Sequence, residues 1–90
     1  MENINGNNER VLRTCEKFGL VPDRTETERV YRKGKPVGYA IRCFFRHKCD
    51  QVLELGECII QLLGGFGRII HQLDHTSEEE ESILEVSFKL

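Results

Sequence analysis

The chain has 90 residues, 39% of them hydrophobic and 31% charged, with a formal net charge of −2. That length suits one small domain with a modest core, and the composition excludes a disordered chain. No window is apolar for long enough to span a membrane, and the polar start MENINGNNER lacks the basic head and apolar run of a secretory signal, so a soluble cytoplasmic protein is expected.

The first expected element is a helix near residues 8–18. Val11, Cys15 and Phe18 recur at helical spacing, with Leu12 on the flank. Asn7 or Asn8 can cap its start, Glu9 suits the first turn, and Gly19-Leu20 suits its end. Residues 1–6 are expected to be flexible. VPDR then supplies turn residues, and from Thr25 the composition favours a strand that ends at Lys33-Gly34-Lys35-Pro36. Pro36 lacks an amide hydrogen, so a loop of about four or five residues is expected here in place of the tightest hairpin. The next strand alternates most clearly. Val37, Tyr39, Ile41, Cys43 and Phe45 share one face, and Gly38, Ala40, Arg42, Phe44 and Arg46 share the other.

Asp50 can cap a second helix near residues 50–64 that buries Val52, Gly56, Ile59, Ile60 and Leu63 and stops at Gly64-Gly65. A third strand runs through RIIHQL, HTSEEEE is a polar link, and ILEVSFKL closes the chain with Leu84, Val86, Phe88 and Leu90 on one face. The expected fold is a single α+β domain over residues 1–90, in αββαββ order. Its four-stranded antiparallel sheet carries both helices packed on one face. Moving the last strand to the front gives βαββαβ, a permuted ferredoxin-like arrangement.

Charge is the main functional signal. Residues 29–48, RVYRKGKPVGYAIRCFFRHK, hold seven of the 13 Lys and Arg and no Asp or Glu. Strand geometry sets Arg42, Phe44 and Arg46 about 7 Å apart in a row on the outer sheet face. Lys33 and Lys35 stand at the loop tip, Arg29 and Arg32 on the partner strand, and Lys48 just beyond. Basic groups neutralise phosphates and an aromatic ring stacks on a base, as in modules that bind single strands on an open sheet. The expectation is a non-enzymatic binding module using Arg29, Arg32, Lys33, Lys35, Arg42, Phe44, Arg46 and Lys48. Its partner is an anionic macromolecule: RNA or DNA, single strands favoured, or else an acidic protein surface. The bland alternative is a solvated face with edge lysines that block aggregation. The functional alternative is a small inhibitor or adaptor that occludes an enzyme's surface, as phage-encoded antagonists of host defence enzymes do.

The remaining motifs point to plainer roles. Cys43, His47, Cys49 and Cys58 include soft ligands, but their spacing matches no zinc finger and lacks a CxxC knuckle. Reduced thiols, no metal and no cofactor are expected. GGFG at 64–67 follows a helix, where carbonyls collect, whereas phosphate loops precede one. His71, Asp74 and His75 form the one close acid–base group, but no nucleophile sits on a recognisable turn, so no catalytic residue is assigned. Glu78 to Glu81 reads as a solvated loop tip. Against the basic hairpin of a second copy it would support a homodimer, which open sheet edges also favour.

Overall fold

The computed structural model describes residues 4–47, 49–74, 76 and 78–90, with residue 49 in its backbone only. Its elements are α1 (Ile4–Lys17), β1 (Arg24–Arg32), β2 (Lys35–Phe45), α2 (Cys49–Leu62), β3 (Gly67–Asp74) and β4 (Glu79–Lys89). This is the expected αββαββ order. The strands form one antiparallel sheet in the order β1-β2-β4-β3. Because β4 lies between β2 and β3, those two run parallel, and α2 carries the chain over β4 in a split βαβ unit.

Alternation along the two central strands builds the core. Tyr39, Ile41, Cys43 and Phe45 of β2 and Leu84 and Val86 of β4 turn to one side. There they bury Val11 and Cys15 of α1, together with Val52, Ile59 and Ile60 of α2 and the adjoining Leu63. Full burial of an aliphatic side chain of this kind contributes about 1.5–3 kcal/mol. Tyr39 also fixes α1 to the sheet: its hydroxyl accepts a hydrogen bond from Asn7 Nδ2, and its ring stacks on Phe88 at 5.4 Å. Cys15 and Cys43 are free thiols inside this core. Hydrogen bonding to Cys15, with burial, pushes the Cys43 thiol up, so it serves as a small apolar filler.

Three local expectations need correction. Helix α1 begins at Ile4, so Asn7 and Asn8 lie inside it, and Glu9 falls outside its first turn. Ile4 packs on the core and so extends the apolar stripe upstream, and residues 4–6 belong to the helix. The hairpin turn is the tight form: Lys33 and Gly34 have φ of 52° and 78°, between the paired residues Arg32 and Lys35. Both central residues of such a turn need positive φ, which glycine adopts at no steric cost. Pro36 does not obstruct it, because it sits in β2 opposite Tyr31 and beyond the end of β4, whose pairing with β2 starts at Gly38. Finally, Glu79, Glu80 and Glu81 belong to β4, where they lie opposite Asp74, Leu73 and Gln72.

The stops were legible. Gly19 has φ of 76°, and the amides of Gly19 and Leu20 bond back to the carbonyls of Glu16 and Cys15, closing α1 in a Schellman arrangement.

Gly56 sets how closely α2 lies on the sheet. A Cβ there would come within 2.5 Å of Ile69 Cδ1 and 3.4 Å of Leu84 Cδ1. Replacing Gly56 with leucine therefore overpacks the helix–sheet seam. Denaturant unfolding should show a loss of about 1–3 kcal/mol, and a variant as stable as the parent would mean that α2 can lift off the sheet without penalty.

Candidate nucleic-acid interface

Arg42 and Phe44 share the outer sheet face, as the alternation of β2 implies. What sits opposite them changes their meaning. On either side of Arg42 the register sets Glu26 of β1 and Glu85 of β4, and Arg68 of β3 lies opposite Glu85 in turn. Arg42 Nε donates to Glu85 Oε2 at 2.7 Å, and Arg42 Nη1 donates to Glu28 Oε2. Arg68 Nε donates to Glu85 Oε1 at 3.0 Å. Glu85 is only 7% exposed. Burial opposes its ionisation, but the hydrogen bonds from Arg42 and Arg68 outweigh that and hold its carboxyl below the usual range. Glu28 and Glu85 in turn raise the Arg42 guanidinium.

Phe44 is 5% exposed, because the Arg24 guanidinium lies 3.8 Å from its ring centroid. Arg24 also comes within 3.6 Å of Glu81, a buried carboxylate that accepts a hydrogen bond from Gln72 at 3.2 Å. The ring expected to stack on a base is therefore already covered. Arg46 is engaged at the same end of the sheet: its backbone amide donates to Asp23 at 2.8 Å and its side chain to Asp74 at 3.2 Å. The sequence of β2 tells which face these residues share. It does not tell that the neighbouring strands supply carboxylates to that face.

The hairpin tip differs. Arg32, Lys33 and Lys35 are exposed, and among the described residues they enter no ion pair. Beside them Tyr31 is 60% exposed, with Val30 and Val37 also open to solvent. Arg29 lies opposite Tyr39, on the helix side of β1, and is exposed like every other residue of that strand. The structure thus brings Arg32, Lys33 and Lys35 together at the tip, with Arg29 about 10 Å back along β1 at 3.3 Å per residue. Arg42 lies midway down the sheet, and Arg46 lies just past the far end of β2, about 36 Å from Lys35 at 3.3 Å per residue. Lys48 lies outside the described residues.

Two exposed aromatic residues adjoin this surface. Tyr31 carries a sequence signal, an aromatic between Arg29 and Arg32 on a charged strand. Phe66 is also exposed, with Lys89 Nζ 5.1 Å from its ring centroid. No sequence pattern announces that contact, since it depends on the pairing of β3 with β4. Both lie at the tip end of the sheet, where the Leu90 amide bonds to the Val37 carbonyl and the Ser87 amide to that of Phe66.

The other motifs are dispersed. Cys43 is in the core, Cys58 is exposed on α2, and the Cys49 side chain lies outside the described residues. No group of three or more His, Cys, Asp or Glu among the described residues could hold a metal ion. His71 Nδ1 is 3.0 Å from Ser82 Oγ, and its Nε2 is 3.7 Å from Glu80. This serine–histidine–carboxylate chain has a nucleophile with no exposed surface, so no acyl group can reach it. Asp74 is on the opposite sheet face, and His75 lies outside the described residues. Among the described residues no helix is long and apolar enough to cross a membrane.

The charge network makes a pH-dependent prediction. The folded pKa of Glu85 lies below its unfolded value of about 4.3, so its stabilisation is fully present above that pH. It is lost as pH falls through the lower folded value. Glu85→Gln should cost about 1.5–3 kcal/mol at neutral pH, and the deficit should shrink on acidification below about pH 4. Unfolding curves for parent and variant across that range test this, and a deficit independent of pH would assign the effect to shape. Comparison with protein-family models, with curated proteins and with solved structures finds no match to this chain.

Proposed function

We propose that the chain is a non-enzymatic cytoplasmic binding module that takes an anionic macromolecule, RNA or DNA with single strands favoured, at the tip of the β1–β2 hairpin. One observation carries this reading: the cations Arg32, Lys33 and Lys35, in no ion pair among the described residues, stand beside the exposed ring of Tyr31. Phosphates neutralised there release counterions, and the ring offers a sequence-tolerant stacking surface. Arg29 extends the basic surface along β1. Arg42, Phe44 and Arg46 drop out of the contact surface and act within the sheet.

The opposite end of the sheet supports the same orientation. Asp23, Asp74, Glu79 and Glu80 gather where β2 ends and β4 begins, so the potential there repels phosphate. The overall charge of −2 also disfavours indiscriminate duplex binding, which goes with a basic domain. An acidic protein surface is the second reading, favoured by the exposed aliphatic residues Val30 and Val37 beside the cations. A protein held there would make the chain an inhibitor or adaptor.

Anisotropy titrations of a labelled single-stranded oligonucleotide at several salt concentrations test the proposal. Three phosphate contacts at about 0.7 each give a log–log slope of roughly −2. Lys33→Glu with Lys35→Glu should flatten that slope, and Tyr31→Ala should weaken binding by about 1–3 kcal/mol with the slope nearly kept. Phe44→Ala should lower stability and leave oligonucleotide affinity alone. Equal affinity for parent and tip variants would remove the tip as the site. A protein partner captured through the same tip, with no competition by oligonucleotide, would select the second reading.

A further inference from the structure

Strand β1 lies at the edge of the sheet and is exposed at all nine positions. We propose that two copies of this chain pair through β1, antiparallel, about a dyad at Val30, and so form one continuous eight-stranded sheet. The proposal does not depend on the nucleic-acid reading.

Edge strands usually carry charges that prevent such pairing. Here, among registers that align five or more strand residues, the charges reject all but one. With the dyad perpendicular to the sheet, both helix layers fall on one side, and each residue of RTETERVYR faces a residue of its copy on the same sheet face. Centring on Glu26 or Glu28 opposes that carboxylate to itself. Centring on Thr27 opposes Glu26 to Glu28, and centring on Arg29 opposes two guanidiniums. Like charges directly opposite are destabilising. Centring on Val30 removes every such clash. Val30 then meets Val30, Arg29 meets Tyr31, and Glu28 meets Arg32, the last two pairs occurring twice by symmetry.

The local structure supports that register. The bulge between β1 and β2 skips Val37, so the extra residue lies on β2 and β1 keeps its regular two-residue period through Val30 and Tyr31. Val30, at 45% exposure, and Tyr31 both gain cover. Glu28 holds Arg42 through Oε2, which leaves Oε1 for an incoming arginine. In the pair, the β1 strands become the centre of the sheet. Their helix-side residues Thr25, Thr27, Arg29 and Tyr31 floor a trough between the two helix layers.

Light scattering without any oligonucleotide should show a mass rising with concentration from 10.5 kDa toward twice that value. Val30→Lys, which sets two ammonium groups at the dyad, should remain monomeric at the same concentrations, with circular dichroism confirming its fold. Position-specific trapping tests the register independently of that variant. Directly opposed strand residues have Cα atoms about 4.5–5.5 Å apart, within disulfide reach. Val30→Cys should therefore cross-link on oxidation by glutathione disulfide, which is reduced to two glutathione thiols. Glu26→Cys, about 26 Å from its copy at 3.3 Å per residue, should cross-link no more than the parent, which controls for the exposed Cys58. A parent mass that stays monomeric up to the solubility limit would overturn the dimer. Cross-linking at position 26 equal to that at position 30 would overturn the register.

Discussion

Much of this molecule depends on one carboxylate that is nearly shut off from water. Glu85, in the central strand β4, receives Arg42 from β2 and Arg68 from the edge strand β3. Hydrogen bonds to a charged group contribute about 1.5–3 kcal/mol, so three strands are committed to one register by the same group. Arg42 reaches on to Glu28, which brings in the fourth strand. The helix side of the sheet is held by apolar burial; its outer side is held by this ladder of alternating charge. Together they cover both faces of the two central strands, β2 and β4, while the edge strand β1 stays exposed.

The ladder also decides where positive charge remains available. Arg24 spreads over Phe44 and Arg46 reaches Asp74, so the basic residues of the lower sheet are absorbed there as Arg42 is in the middle. Beyond the last rung of β4, the hairpin continues without carboxylates opposite it, and its cations project into solvent beside Tyr31. Structure and charge thus divide β2 into two parts along its length. The lower part builds the sheet, while the tip offers both a basic surface and an open backbone edge. A ligand at the tip and a second copy along β1 would both use Arg29, Tyr31 and Arg32, so the two would compete for that surface.

The residue pattern revealed elements better than partners. Period-two alternation from Tyr39 to Phe45 and the stripe through Val52, Ile59 and Ile60 place the core, because each depends only on spacing within one element. Gly19 and Gly64 marked helix ends for an equally local reason. The start of α1 was misplaced because Ile4 gains its cover from the core and not from a cap. The tight turn is hidden in the sequence because Pro36 follows so closely, although Lys33 and Gly34 close the hairpin alone. The largest error concerned the outer face. Arg42 has its partners 14 and 43 residues away, so neither is visible to a window that sees only +7 and no acid between residues 29 and 48. Glu81, seen as a solvated acid, is buried for the same non-local reason.

Backbone amide shifts followed by NMR during titration with a short single-stranded oligonucleotide test the division between sheet and tip most directly. Perturbations should concentrate at residues 29–37, with residues 40–46 and 81–87 little changed. Largest shifts at Arg42, Phe44 and Glu85, with the tip amides unmoved, would contradict it and return the contact surface to the outer face of the sheet.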